Sequence, residues 1–393
     1  MEKVVILGVG IHPFNRYPDK KGINPFKSFE DIGAFAVEEA LQHAQIDFRD
    51  IGAAFCSSMI GPIGAGHKVL SKFGIYGIPI VNIENACAGG GTCLRMAVDA
   101  IRAGRTDVVI ALGVEKMPHG FIDLDIWPTW MESAGLNLTP FAFATRARRH
   151  MEEYGTTREQ LAKVVVKNRK HGVNNPNAMY RSETTVEAVL NSPMVCDPLT
   201  MFMLCAPNEG AAAAILCSER KAKQYTTQPV FISAAAVGTP QDGTIIGSIA
   251  LPQMHGTTSM EKPNEITSFI AAQAYEEAGI GPAELDVVEL QDTDAGSEIA
   301  ETELLGLCEF GEGGKLIDEG STALDSLKRP IVNASGGLTS KGEPVGASGL
   351  AMIAELFYQL KGEAGARQVE NAKVGLGHTV GMGGNCSVVI VNT

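Results

Sequence analysis

Apolar positions along this chain fall into blocks of two kinds. The stretches 3–8, 107–112, 209–216 and 373–376 each open on one charged residue (Lys3, Asp107, Glu209, Lys373) and then run on in apolar residues and glycine, which predicts a buried strand. Between them lie stretches with helical spacing, such as Leu94, Ala97, Val98 and Ile101, and an alanine-rich segment over 349–360. The blocks repeat. A helix-then-strand pattern over 40–46 and 50–55 returns over 274–280 and 284–289. The small-residue run Asn85-Ala86-Cys87-Ala88-Gly89-Gly90 is echoed by Asn333-Ala334-Ser335-Gly336-Gly337, and an alanine-rich helix and a strand follow each. Alternating helices and strands in two similar halves predict paired α/β layers.

Residues 118–200 break the pattern. They are rich in Trp, Met, Asn, Arg and Pro, with a helical piece over 141–154 and a second helix starting near Thr157. This stretch reads as an insertion covering a site. The expected division is an N-terminal half over 1–225, which includes the insertion, and a C-terminal half over 226–393.

Cys87 is the most informative residue. Glycines and alanines bracket it, and an amphipathic helix follows. Small neighbours let a carbonyl approach the sulfur, and the positive end of a helix favours a thiolate. A packed core cysteine is the plain alternative. The downstream echo and the glycines favour a nucleophile.

Composition narrows the classes. The 393 residues are 45% apolar and 20% charged, as in an ordinary enzyme. A net charge of −13 argues against nucleic acid or an anionic membrane as a partner. Eight cysteines include no CxxC or CxxH pair, so no metal is expected in this chain and the thiols read as reduced. With no cleavable leader and no membrane-length apolar run, the expected location is the cytoplasm. Gly8-Val9-Gly10 after the first strand lacks the third glycine of a dinucleotide site.

Four segments then carry a family resemblance: residues 85–90, Tyr154-Gly155-Thr156-Thr157-Arg158-Glu159-Gln160-Leu161, residues 333–337, and Gly342-Glu343-Pro344-Val345-Gly346-Ala347-Ser348-Gly349. In this order they resemble the thiolase superfamily over the whole length, and most closely its lipid-transfer members of the sterol-carrier-protein-2 type. The resemblance implies a five-layered αβαβα fold with an inserted loop domain. It also implies a homodimer with paired sheets, and cleavage of a 3-ketoacyl-CoA by free coenzyme A through an acyl-cysteine. Coenzyme A would be a co-substrate, with no permanently bound cofactor.

The chain departs from the family's motifs. Gly342-Glu343-Pro344 stands where the family has Gly-His-Pro, and Gln291-Asp292-Thr293-Asp294 where lipid-transfer thiolases have His-Asp-Cys-Phe. His378 is read as standing at the position of the family's Cys-x-Gly cysteine, and so as the proton shuttle. Glu343 admits three roles: the base for Cys87, the orienter of His378, or a position whose function is lost. Gln291 offers an amide donor to an oxyanion site, with the backbone N–H groups of Cys87 and Val380 as the second. Thr293 and Asp292 read as lining and bracing residues.

Relatives with altered loops commonly work with a small zinc-ribbon/OB-fold subunit, so a hetero-oligomer is expected, with any zinc in the partner. Within that resemblance, cleavage of 2-benzoylsuccinyl-CoA to benzoyl-CoA and succinyl-CoA, as in anaerobic toluene breakdown, is the specific reaction expected, with a steroid or terpenoid acyl-CoA as the open alternative. A retro-aldolase acting on 3-hydroxyacyl-CoA side chains and a non-catalytic scaffold are the competing readings.

Overall fold

The computed structural model describes residues 2–74, 77–120, 130, 133–135, 139–239, 266–381 and 384–393. Its strands are β1 (Val4–Asn15), β2 (Ala53–Ser57), β3 (Ile80–Ile83), β4 (Val108–Lys116), β5 (Met194–Cys196), β6 (Leu199–Thr200), β7 (Glu209–Ser218), β8 (Val230–Gly238), β9 (Val287–Glu289), β10 (Ile331–Val332), β11 (Val374–Gly381) and β12 (Asn385–Asn392). The helices used below are α1 (Phe29–Ala44), α2 (Ala65–Leu70), α3 (Gly89–Arg102), α4 (Thr139–Tyr154), α5 (Arg158–Gly172), α6 (Ile266–Ala278), α7 (Ala295–Leu304), α8 (Gly337–Lys341) and α9 (Val345–Lys361).

The duplication is visible in the strand order, β10-β9-β11-β12-β8-β1-β7-β4-β2-β3. Read outward from the centre, β1-β7-β4-β2-β3 and β8-β12-β11-β9-β10 carry the same sequence of first, last, fourth, second and third strands. The two sets meet at an antiparallel seam of three residue pairs, Val4 with Ile232, Val5 with Phe231 and Ile6 with Val230. Each set has parallel members in its interior, β2 with β4 and β9 with β11, which fits the near-continuous apolar runs.

Three apolar clusters define the layers. The inner faces of both strand sets close on α3 and α9, through residues such as Leu94, Val98, Ile101, Leu350, Ile353 and Leu356. The outer face of the first set is covered by α1 and α2, and that of the second by α6. Helix, sheet, central helices, sheet, helix: this is a mixed α/β fold in five layers. Gly90 has no room for a side chain, because a Cβ there would lie 2.8 Å from the backbone nitrogen of Leu350. The absence of side chains lets α3 and α9 touch backbone to backbone.

The strand that holds Gly8 and Gly10 runs on to Asn15, so no phosphate-binding turn forms there. A Cβ on Gly10 would lie 2.2 Å from the Ala36 carbonyl oxygen; these glycines let α1 lie against the sheet. Within the insertion, α5 begins at a capping box, with Thr157 accepting from the Gln160 N–H and Gln160 returning to the Thr157 N–H. Helices α4 and α5 pack with Met203, Ala295 and Ile299 in a fourth cluster, which seats the described part of the insertion on the second half.

Candidate active site

Strand β3 ends four residues before Cys87, and the chain then makes one tight turn, Ala86–Ala88, that runs directly into α3. Ala86 sits at φ 45°, in the left-handed region. For a residue with a Cβ that costs about 1–3 kcal/mol and persists only where the surroundings enforce it. Here the Ala86 N–H donates to Glu84 at 2.9 Å, and Asn85 donates to Thr92 at 2.8 Å. The turn delivers Cys87 to the head of a 14-residue helix. The thiol lies among Met59, Met117 and Val345.

Its polar partner is Glu343. The loop from α8 to α9 carries this buried glutamate to the mouth of the Cys87 turn, and its carboxylate collects three side chains: the Cys87 thiol, the Cys205 thiol at 3.1 Å and the Gln291 amide at 2.9 Å. Burial pushes the Glu343 pKa above the usual glutamate range, while these three donors pull it back down. Gln291 is itself fixed from behind, since its carbonyl oxygen accepts the Val380 N–H at 2.6 Å.

Cys205 was not singled out from the sequence. It lies in the segment before β7, which is laced between the two loops that depart from the family pattern. The Cys205 N–H donates to the Thr293 carbonyl at 2.8 Å, and the Glu343 N–H donates to the Ala206 carbonyl at 2.9 Å. Burial, reinforced by Glu343, holds the Cys205 pKa well above that of a free thiol. Nothing local in Leu204-Cys205-Ala206-Pro207 marks it; two long-range backbone contacts place it.

Two expectations need correction. First, His378 and Glu343 do not form a pair. Alternation along β11 turns Gly377, Thr379 and Gly381 inward toward α9 and the Cys87 turn, and His378 to the opposite face. There its Nε2 lies 3.1 Å from the Thr267 hydroxyl and 3.7 Å from Glu301, which Arg146 of α4 also holds. Burial lowers the His378 pKa, and Glu301 only partly restores it. The residue of β11 that borders the Cys87 turn is Gly381, three places further on; a Cβ there would lie 3.0 Å from the Asn85 carbonyl oxygen. Second, the Val380 N–H already serves Gln291, so it is not a vacant oxyanion donor.

Asp292 braces the turn that opens α8. It accepts from the Leu338 N–H at 2.6 Å, the Thr339 N–H and hydroxyl at 3.2 and 2.8 Å, and Asn168 at 2.9 Å. Burial, then the charge of Glu298, raises its pKa to about 7. Thr293 contributes its carbonyl to Cys205, and its hydroxyl lies 3.4 Å from Ser297. A further buried acid, Glu115 at the end of β4, ties the site together from below. It accepts from the Ser58 hydroxyl and from the N–H groups of Met59, Ile60 and Gly346, joining the loop after β2 to the head of α9. Nothing local in Gly113-Val114-Glu115-Lys116 marks it in the sequence. Among the described residues no group of three His, Cys, Asp or Glu side chains is arranged to hold a metal ion. No helix among them is long and apolar enough to cross a membrane.

Comparison with known proteins agrees with this architecture. Residues 4–220 match the family model "Thiolase, N-terminal domain", and residues 253–393 match "Thiolase C-terminal domain-like". The chain is 38% identical to an acetyl-CoA acetyltransferase of Methanothermobacter thermautotrophicus, over 99% of both chains. It is 36% identical to bovine sterol carrier protein 2, covering 99% of this chain and 72% of that protein. It is 33% identical to the benzoylsuccinyl-CoA thiolase subunit BbsB of Thauera aromatica, covering 97% of this chain and 95% of that one. Among solved structures, the Ltp2-ChsH2(DUF35) aldolase superposes with a TM-score of 0.84 at 22% identity, over 100% of this chain and 98% of that one, a likeness of fold. With a cysteine on a strained turn at a helix head, between two halves of one repeated fold, the chain belongs to the thiolase family and is an acyl-transferring enzyme.

Proposed function

We propose that this enzyme cleaves a 3-ketoacyl-CoA with free coenzyme A through an acyl-enzyme on Cys87. The observation that carries the reading is the hydrogen bond between the Cys87 thiol and a buried carboxylate whose pKa is raised toward the working range of a general base. Glu343 takes the thiol proton as sulfur attacks the ketone carbon. The tetrahedral intermediate collapses with rupture of the carbon–carbon bond, and the acyl group stays on sulfur. Coenzyme A, deprotonated by the same carboxylate, then removes it. Gln291 positions Glu343, and the N–H groups at the Cys87 turn serve the oxyanion. His378 supports the sheet from behind, on the helices that pack there.

The likeness to BbsB supports 2-benzoylsuccinyl-CoA as substrate, giving benzoyl-CoA and succinyl-CoA. The naming of BbsB as a subunit, and the DUF35 protein in the aldolase structure, support a small partner chain. Strand β3 supports a homodimer: it is an edge of the sheet, and Val81 on it is 42% exposed, an unpaired apolar edge of the kind that takes a second copy. A cytoplasmic location fits this chemistry, and the duplicated strand order supports a division into halves at 1–225 and 226–393.

The test is a pair of incubations with the enzyme purified together with any subunit that accompanies it, one with 2-benzoylsuccinyl-CoA and one with a 3-hydroxyacyl-CoA, each with and without free coenzyme A. Coenzyme-A-dependent cleavage of the first, with a mass increase on the Cys87 peptide, is expected. Cleavage of the 3-hydroxyacyl-CoA without coenzyme A, unaffected by Cys87→Ser, would sink the reading in favour of a retro-aldolase.

A further inference from the structure

The carbon–carbon step needs a second proton that Glu343 is badly placed to supply. When the bond breaks, the leaving fragment is the enolate of an acyl-CoA, and its α-carbon must be protonated while Glu343 is holding the proton of Cys87. His378 lies on the other face of β11, and Gly381, which borders the Cys87 turn, has no side chain to offer. Asp292 is consumed by the α8 turn. Among the described side chains hydrogen-bonded to Glu343, one more carries an acidic hydrogen: Cys205.

We propose that Cys205 is the acid that protonates the departing carbon, and that Glu343 divides its service between two sulfur atoms. This rests on the thiolase reading above. Three observations support it. The Cys205 sulfur lies 3.1 Å from one carboxylate oxygen of Glu343, while Gln291 holds the other at 2.9 Å, so the carboxylate cannot rotate away from the thiol. Cys205 is only partly buried as a residue, and Cys87 is near enough to act on its thiol electrostatically. Its backbone is pinned to Thr293, and the next carbonyl to the Glu343 N–H, so the thiol is held from both sides. Burial and the neighbouring acid keep it protonated, which is the state a proton donor needs.

The protons balance. Cys87 gives its proton to Glu343 and forms the carbon–sulfur bond. The carbon–carbon bond breaks, its electron pair goes to the α-carbon, and that carbon takes the Cys205 proton. The protonated Glu343 returns a proton to the Cys205 thiolate across the existing hydrogen bond, leaving carboxylate. In the second half-reaction Glu343 receives the proton of the coenzyme A thiol and passes it to the departing Cys87 sulfur.

This division is measurable, because two partial reactions use different protons. Exchange of isotopically labelled coenzyme A into benzoyl-CoA, whose acyl group would sit on Cys87, moves protons only among sulfurs and Glu343. Wash-in of deuterium at the α-carbon of succinyl-CoA, the fragment that leaves as an enolate, and cleavage of the 3-ketoacyl-CoA, both require a proton at carbon. The enzyme is purified with any subunit that accompanies it, and benzoyl-CoA and succinyl-CoA are the probes. Cys205→Ala should lower α-deuteration and cleavage by about 10²- to 10⁴-fold while coenzyme A exchange stays within about threefold of wild type. Glu343→Gln should depress all three. Equal loss of exchange and deuteration in Cys205→Ala and Cys205→Ser would mean that the residue only shapes the site, and near-native deuteration in both would remove it from the reaction.

A thiol-specific measurement covers the case in which neither probe turns over. The pH profile for alkylation of Cys87 by iodoacetamide should move to higher pH in Cys205→Ala, since Glu343 loses a donor and becomes harder to ionise. An unchanged profile overturns the shared carboxylate. Absence of any acyl group on Cys87 in the wild type overturns the thiolase reading instead, and the two failures are distinct.

Discussion

The two halves carry the same residue pattern after their third strand and use it for opposite purposes. In the first half, Asn85-Ala86-Cys87 leaves β3 and aims its third side chain at a carboxylate shared with Cys205. In the second, Asn333-Ala334-Ser335 leaves β10 with its left-handed residue one place earlier in the pattern, Asn333 at φ 55° where the first copy has Ala86 at φ 45°. Here the Asn333 and Ser335 side chains are closed off. The Ser335 hydroxyl and N–H both go to Glu289, which Lys341 neutralises at 3.2 Å. The Asn333 side chain joins Glu298, paired with Lys167 at 2.6 Å, and the Asn333 carbonyl takes the His171 ring. One sequence pattern yields a reactive thiol where, among the described residues, its partner carboxylate has no neutralising cation, and a structural knot where each carboxylate has one. Chemistry in this fold is set by what surrounds the repeated tripeptide and by how its backbone turns, since the pattern of residues is common to both copies.

The sharpest way to break that comparison is to exchange the roles. Cys87→Ser should abolish acyl-enzyme formation and cost at least about 10⁴-fold in turnover, as loss of a nucleophile does, with an unchanged circular dichroism spectrum. Ser335→Ala should leave turnover largely intact and lower unfolding stability by about 1–3 kcal/mol, since Glu289 loses a buried partner. Equal activity losses in the two would erase the distinction.

Next in size is Glu343→Gln, expected to lower turnover by about 10²- to 10⁴-fold. Because the Glu343 pKa is raised, the acid limb of the wild-type pH–rate profile should fall at a pH above that of an ordinary glutamate. The glutamine variant should lose that limb, and a limb unaffected by the substitution would assign it to another group.

The second turn is tested by Lys341→Met, which strands the Glu289 charge in a fully buried place. Breaking a buried pair of this kind costs about 3–5 kcal/mol, readable as a lower denaturant midpoint. A change below about 1 kcal/mol would mean that the knot is not held by charge.

The smallest effect sharpens the same point through pH. His171 donates one ring nitrogen to the Asn333 carbonyl at 2.9 Å and accepts the Leu324 N–H at 3.0 Å on the other, so it must stay neutral. Burial lowers its pKa to about 3, against 6.5 when unfolded. The unfolded chain therefore binds the extra proton first, and this contribution to stability is present above pH 6.5 and lost as pH falls toward 3. The slope from this one group is at most about 1.4 kcal/mol per pH unit. His171→Gln should flatten the unfolding profile over that window by one proton, and an unchanged slope would show that His171 does not titrate there.

Much of the fold could be read in the sequence because its signals are local or repeated. Apolar runs gave the strands, the Thr157–Gln160 box gave the start of α5, and the echo of Asn85-Ala86-Cys87 in Asn333-Ala334-Ser335 gave the duplication. The site was legible where one residue sits in a diagnostic setting, as Cys87 does, and at Glu343 and Gln291, where a family pattern is broken. It failed at His378, because a strand alternates faces and a position misjudged by an odd number lands on the wrong side. Cys205 and Glu115 were invisible for another reason. Each acts through partners more than fifty residues away, and only pairing of distant segments brings them in.

The backbone contact at Gly90 has a consequence for how this enzyme can change. Cys87 stands at the head of α3 and Glu343 just before α9, so the spacing between nucleophile and carboxylate is inherited from two helices locked together at their glycine. Such a joint behaves as a rigid jig: it holds a reaction geometry to a fraction of an ångström and has little compliance to spare. New acyl groups must therefore be accommodated by remodelling the walls of the cleft, while the machine tool at its floor stays as it is.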